Sequence, residues 1–176
     1  VEGMMKESVS KQTQMTYAAY TSKPRVEWVL DWLGMGIIAV DQIYWTRETE
    51  HALDTGGNKG LREYEAQCTK QLDDMVLLVR TPISKLQRYT LGAMVTLDVH
   101  GRDVLTFMVQ ANVETSNDFN WVSQLRYYYD PNGEDGITKG PDIFIKIITS
   151  TAKFGWEYLG NSFRLVVTGL TDRCYR

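Results

Sequence analysis

The sequence predicts an α+β fold that is mainly α: an antiparallel bundle of long helices followed by a small antiparallel β-sheet. Three observations carry that expectation. Between Val26 and Ala111 apolar residues recur every three or four positions, the period of one helix face. Near Asn117-Asp118 the period drops to two, as in a half-buried strand. The last third then holds β-branched runs bounded by turn residues, which suit a pleated surface.

Residues 1–25 are polar and carry few order signals before Lys23-Pro24, so they are expected to form a flexible or helical lead-in. From Val26 onward, Leu30, Leu33, Ile37, Val40 and Tyr44 form one helical stripe, thickened by Trp28, Trp32, Met35 and Ala39. A helix apolar over so much of its circumference must be covered on more than one side. The stretch Asp54-Thr-Gly-Gly-Asn-Lys-Gly60 lacks the Gly-Lys-Ser/Thr ending of a phosphate-binding loop, and no strand precedes it. Its adjacent glycines predict a flexible turn between helices instead. A second helix sets Leu61, Tyr64, Cys68, Leu72, Met75 and Val79 on one stripe, with Arg62, Glu63, Lys70 and Asp74 opposite. Thr81-Pro82 stops it, because proline disfavours helix in the residue before it. The third helix carries Ile83, Leu86, Thr90, Ala93, Leu97, Val104, Phe107, Met108 and Ala111. Three helices joined by short turns pack antiparallel.

Beyond them, Trp121, Ser123, Leu125, Tyr127 and Tyr129 alternate with Val122, Gln124, Arg126 and Tyr128, up to the turn Asp130-Pro-Asn-Gly133. The start of that run, Phe119 to Ser123, equally suits a helical turn. Ile143 to Ile148 predicts a strand continuing toward Trp156, and Phe163 to Thr168 another. The sheet would then meet the helices through an aromatic-rich seam.

Composition narrows the function classes. The 176 residues hold 19 Lys or Arg against 22 Asp or Glu, a net charge of −3, with 43% hydrophobic residues. Such a chain buries a sizeable core unaided, and it has no overall positive charge to meet nucleic acid or an anionic membrane. Its longest apolar stretch, Trp32 to Val40, is far short of the ~20 residues that cross a bilayer. Two cysteines about a hundred residues apart, Cys68 and Cys174, point to a reducing compartment. A zinc site would need both of them together with His51 and His100, from four scattered places, and none is expected. The termini, Val1 and Arg176, suggest a piece of a longer chain.

Candidate chemistry is sparse. His100 and Asp103 share a helix face at i and i+3, the start of a general base with an orienting acid, but no nucleophile is forced near them. Cys174 beside Arg173 has no histidine partner to activate it. Phe119, Trp121, Tyr127, Tyr128 and Tyr129, with Arg126 among them, form either a stacking platform that would dock a partner peptide or nucleic acid or, more in keeping with acidic surroundings, core. Asp73 and Asp74 are adjacent on a helix and so diverge, which is wrong for acid–base work on one bond. No enzyme emerges from these residues.

Five strings are specific enough to name a family. Asp118-Phe-Asn-Trp-Val-Ser-Gln-Leu-Arg-Tyr-Tyr128, Phe154-Gly-Trp-Glu-Tyr-Leu-Gly-Asn-Ser162 and Arg164-Leu-Val-Val-Thr-Gly-Leu-Thr-Asp-Arg-Cys-Tyr175 resemble the dynein heavy chain, at the end of its linker just before the first AAA+ module. Gln42-Ile-Tyr-Trp-Thr46 and Leu97-Asp-Val-His-Gly-Arg-Asp103 resemble linker helices of the same family, in the same order. The pattern is closer to axonemal than to cytoplasmic heavy chains, notably at Gln42 to Thr46 and Tyr158 to Ser162.

The resemblance implies a lead-in over 1–25, a linker helical bundle over 26–115, a sheet closing the linker over 116–168, and a junction to the AAA+ module over 169–176. It implies a non-catalytic, force-transmitting segment of an ATP-driven microtubule motor, with Trp121, Arg126, Trp156 and Tyr158 as structural, force-bearing members. Neither Walker motif is present, so ATP or ADP with Mg would sit in the adjoining module and this segment should hold no cofactor. Val167, Gly169 and Leu170 would form one wall of the adenine pocket there. The family usually has proline where Gly169 stands, and losing a fixed φ loosens that loop. The implied partners are the AAA+ ring of the same heavy chain and, through the parent complex, intermediate and light chains and microtubules, with no nucleic acid and no membrane. The implied location is the cytoskeleton of a cilium or flagellum.

Overall fold

The computed structural model describes residues 1–133, 141–160, 166–168 and 170–171. Helices α1 (Glu2–Ala19), α2 (Arg25–Asp31), α3 (Gly34–Val79) and α4 (Lys85–Gln110) come first, then the one-turn α5 (Phe119–Val122) and strands β1 (Arg126–Asp130), β2 (Asp142–Ile147) and β3 (Ser150–Lys153). Helices followed by a small antiparallel sheet is the architecture the sequence predicts.

The backbone of α3 breaks at Gly57, with φ 55° and ψ −140°, a conformation open essentially to glycine alone. The chain doubles back there. Leu53 and Leu61 share one buried cluster, Trp45 packs with Tyr64 and Cys68, and Met75 lies with Ile37 and Val40. α3 is therefore a hairpin of two antiparallel arms, 34–56 and 58–79. The expected flexible turn at 54–60 is one residue wide, with helical backbone on both sides. Asn58 pins the reversal to the end of α4. Its Nδ2 donates to the carbonyls of Val109 and Val113, and its backbone N–H donates to Glu114 Oε2. At Gly60 a Cβ would fall 2.3 Å from the Ala52 carbonyl oxygen, so the arms close only because that atom is missing.

Residues 1–25 take the helical alternative over most of their length: α1 buries Val9, Thr13 and Thr16, and the two threonines meet α3 at Gly36, where a Cβ would lie 3.3 and 3.4 Å from their hydroxyls. Three local expectations are corrected. The stripe from Val26 to Tyr44 is two helices, parted by extended backbone at Trp32 and Leu33; a two-residue break leaves the apolar period intact. α4 starts at Lys85 and not at Ile83, because Ser84 and Gln87 form a reciprocal capping box. Leu86 and Phe107, placed on the core stripe, are exposed.

The sheet has the order β1-β2-β3, antiparallel throughout, with Tyr128 opposite Phe144 and Ile145 opposite Ala152. Phe119 to Val122 is the helical alternative, capped by Asp118. The strand from Ile143 does not run on to Trp156. It turns at Ile148, whose φ of 51° is strained for a β-branched residue, and returns as β3. Of the strand expected at Phe163 to Thr168, Val166 to Thr168 are unpaired coil, and 163–165 lie outside the described residues. The aromatic seam is present: Tyr17 stacks on Tyr129 at 4.1 Å and Tyr20 on Tyr44 at 3.9 Å.

Two glycine substitutions of opposite sign test this packing. Gly60→Ala forces backbone apart where the arms of α3 meet and should destabilise by about 2 kcal/mol or more. Gly92→Ala, on α4 with nothing within 4 Å of the new Cβ, should stabilise by about 1 kcal/mol through helix propensity. Urea unfolding of both variants measures the pair, and a stabilising Gly60→Ala would refute the hairpin.

Candidate functional site: the joint between helix and sheet

Glu50, on the first arm of α3, gathers the ends of α5 and β1. Its Oε1 accepts from Trp121 Nε1 at 3.1 Å and from the Tyr128 hydroxyl at 2.6 Å, with Arg126 Nη1 3.9 Å away. Arg126 Nη1 also donates to the Tyr128 hydroxyl at 3.0 Å. Burial, and then the bond to Glu50, push the Tyr128 phenol well above its ordinary range, so it stays protonated and donates. One turn earlier on α3, Thr46 Oγ1 accepts the backbone N–H of Tyr127 at 3.0 Å. Trp121 is completely buried, with its ring 5.2 Å from Trp45. A carboxylate, a threonine and an indole thus clasp the sheet to the hairpin.

A second polar centre joins α2, α3 and α4. Arg25 Nε and Nη2 reach Asp41 Oδ1 at 3.0 and 2.6 Å, while Nη1 and Nη2 reach Asp98 Oδ2 and Oδ1 at 3.0 and 2.6 Å. Burial alone would lower the Arg25 pKa, but the two carboxylates raise it well above its usual value. Beside the cluster is a cavity of about 20 Å³, lined in part by Tyr20, Trp45, Tyr64, Cys68 and Arg102, with room for about one water molecule. Burial pushes the Cys68 thiol up to about 12, which removes it as a nucleophile. Gly101 lets α4 approach here, since a Cβ would stand 2.9 Å from Trp45 Nε1. The strings Gln42 to Thr46 and Leu97 to Asp103 therefore face one another across this joint.

The other sequence candidates are dispersed. Trp156 is buried with Val9, Ala39, Ile43 and Ile143 in a third cluster, edge-on to Phe154 at 5.2 Å, away from Trp121 and Arg126. Tyr158 is exposed. Of the aromatic run, only Phe119 projects into solvent; Trp121 is core, and Tyr127 and Tyr129 pack on the third cluster, so no open stacking face forms. Asp103 is bound by its neighbour Arg102 at 2.7 Å, and neither it nor His100 lines the cavity at Arg25. Asp73 and Asp74 are exposed. Among the described residues no His, Cys, Asp or Glu are grouped to hold a metal, and no helix is long and apolar enough to cross a membrane. Val167 is half-buried and Leu170 exposed; Gly169, Arg173 and Cys174 lie outside the described residues. Sequence reasoning missed Glu50, Thr46 and Arg25. Glu50 lies in the polar run Arg47-Glu-Thr-Glu-His51 and Arg25 directly follows Pro24, where charge ordinarily marks a solvated face, and only the family strings pointed toward Thr46 and Asp98.

Removing Glu50 would leave Trp121 Nε1 without an acceptor and the buried Arg126 without a counter-charge. Glu50→Ala should cost on the order of 3 kcal/mol and weaken the near-ultraviolet dichroism of Trp121. Adding Arg126→Met should recover part of that loss, and a double variant no more stable than Glu50→Ala would deny that the pair is coupled.

No protein-family model matches the chain. Among curated proteins it is 42% identical over 176 residues to dynein axonemal heavy chain 12 of Rattus norvegicus, a match covering 100% of this chain and 5% of that one. It is 43% identical over 175 residues to dynein axonemal heavy chain 1 of Homo sapiens, covering 99% and 4%, and 43% identical over 176 residues to human dynein axonemal heavy chain 3, covering 100% and 4%. From end to end the chain belongs with the axonemal dynein heavy chains, and it spans 4–5% of the length of the relatives it matches.

Proposed function

We propose that the chain is the ring-proximal segment of a dynein heavy-chain linker, a non-catalytic mechanical element that couples ATP hydrolysis in an AAA+ ring to microtubule-based movement. The observation that carries this reading is the clasp at Glu50. The segment after Lys153 follows directly on the sheet, and the sheet is tied to the first arm of α3 by Thr46, Glu50, Trp121 and Arg126. A load applied beyond Leu159 reaches the helices through those contacts and through Trp156. Dense aromatic packing resists shear, which suits a lever.

In this reading 26–115 is the linker's helical bundle, 116–168 the sheet that closes it, and 169–176 the junction to the first AAA+ module. ATP or ADP with Mg belongs to that module. Half-buried Val167 and exposed Leu170 offer it an apolar wall for a purine face, and the sequence carries neither Walker motif for its phosphates. The AAA+ ring of the same heavy chain is the direct partner, with intermediate and light chains and microtubules engaged through the whole complex, in the axoneme of a cilium or flagellum.

Two measurements test the reading. In the full heavy-chain motor, Trp156→Ala should leave microtubule-stimulated ATP hydrolysis within about twofold while gliding speed falls several-fold, since only the transmission is damaged. If both rates stay at the parental level, the lever assignment is wrong. The 176-residue chain alone should show no ATP turnover, and hydrolysis by it would overturn the non-catalytic part.

A further inference from the structure

We propose that Arg25, Asp41 and Asp98 form a proton-linked latch, in which one proton taken up at Asp41 Oδ2 tightens the joint between α2, α3 and α4 and its release loosens that joint. The inference concerns the chain itself and does not depend on the motor reading.

It starts from a charge imbalance. One guanidinium serves two carboxylates, and the three side chains are only 12%, 6% and 12% exposed for Arg25, Asp41 and Asp98. Fully ionised, the cluster carries one surplus negative charge where an unpaired charge is costly. The two acids are not equivalent. Asp98 receives the fork of the guanidinium, one donor on each oxygen. Asp41 takes both of its bonds on Oδ1, and among the described residues nothing donates to its Oδ2. That oxygen is the place for a proton.

No neighbouring group removes the imbalance. Tyr20 from the end of α1, Tyr64 and Cys68 from the second arm of α3, and Arg102 from α4 face the cavity beside the cluster. Burial raises the pKa of Tyr20, Tyr64 and Cys68, so all three stay neutral near pH 7. Arg102 is engaged by Asp103 at 2.7 Å. On the other side of Arg25, Lys70 and Asp74 line a groove, both exposed and opposite in sign. Burial, opposed by Arg25, pushes Asp41 up to about 6. A carboxyl raised on folding stabilises fully below its unfolded value, and that contribution is lost as pH rises through the folded value. From pH 4 to 7 the folding equilibrium should fall on the order of 100-fold through this one group. Arg25 is the first residue of α2, so the weakened contact is the one that holds α2 to the hairpin and α4.

The test pairs carboxyl carbon NMR of the 176-residue chain over pH 4–8 with urea unfolding of the parent and of Asp41→Asn. Asparagine keeps an oxygen for Arg25 and mimics the neutral acid. The Asp41 resonance should titrate near pH 6. At pH 7.5 the variant should fold with an equilibrium constant at least about tenfold more favourable than the parent, and its pH dependence between 5 and 7 should flatten. A titration midpoint below about 4.5, near the ordinary carboxylate range, or a variant less stable than the parent at pH 7.5, overturns the latch.

Discussion

The reversal of α3 at Gly57 determines where every other element can sit. With its two arms antiparallel, the first arm becomes a central rod covered on three sides. Ile37, Val40 and Tyr44 face the cluster shared with α2 and α4. Asp41 and Trp45 face the second arm and the α4 joint. Ala39, Ile43, Thr46 and Glu50 face α1 and the sheet. Each set repeats at three or four residues, so one helix supplies three seams without a conflict of period. A side chain at position 57 would disfavour the φ and ψ that make this possible.

Two kinds of force divide the work. The apolar clusters supply most of the stabilisation, but burial is indifferent to small slips of one surface over another. Polar pins fix the register. Asn58 sets where α4 ends against the reversal, Arg25 sets the angle of α2, and Glu50 with Thr46 sets the first residues of β1. Each pin lies in a poorly solvated place, where a half-made bond is expensive and the complete set is therefore favoured. Directional contacts at the three joints and undirected packing between them together fix both the shape of the body and the register of its elements.

Much of this layout was legible in the sequence. The helix stripes at Leu61 to Val79 and Thr90 to Met108, the change of period before β1 and the turn at Gly57 all follow from patterns that local sterics impose. What escaped was polar. α1 docks through Val9, Thr13 and Thr16, a stripe at helical spacing in which two of three members are threonines, and a hydrophobicity pattern does not register it. The Arg25 cluster draws on positions 25, 41 and 98 and the clasp on 46, 50, 121, 126 and 128, separations that only the finished fold brings together. The break at Trp32-Leu33 and the tip at Ile148 interrupt runs whose residue types would happily have continued.

The third apolar cluster has a temporal meaning as well as a spatial one. It brings Val9 of α1 into one cluster with Trp156, which follows β3, nearly the whole length of the chain apart, whereas α3 and α4 meet as sequence neighbours. Contacts that close so long a loop form late, after the local helical hairpins exist to receive them. The same contacts are the natural first to part when the molecule opens from its edges. Assembly therefore ends, and disassembly begins, where the first helix closes over the sheet.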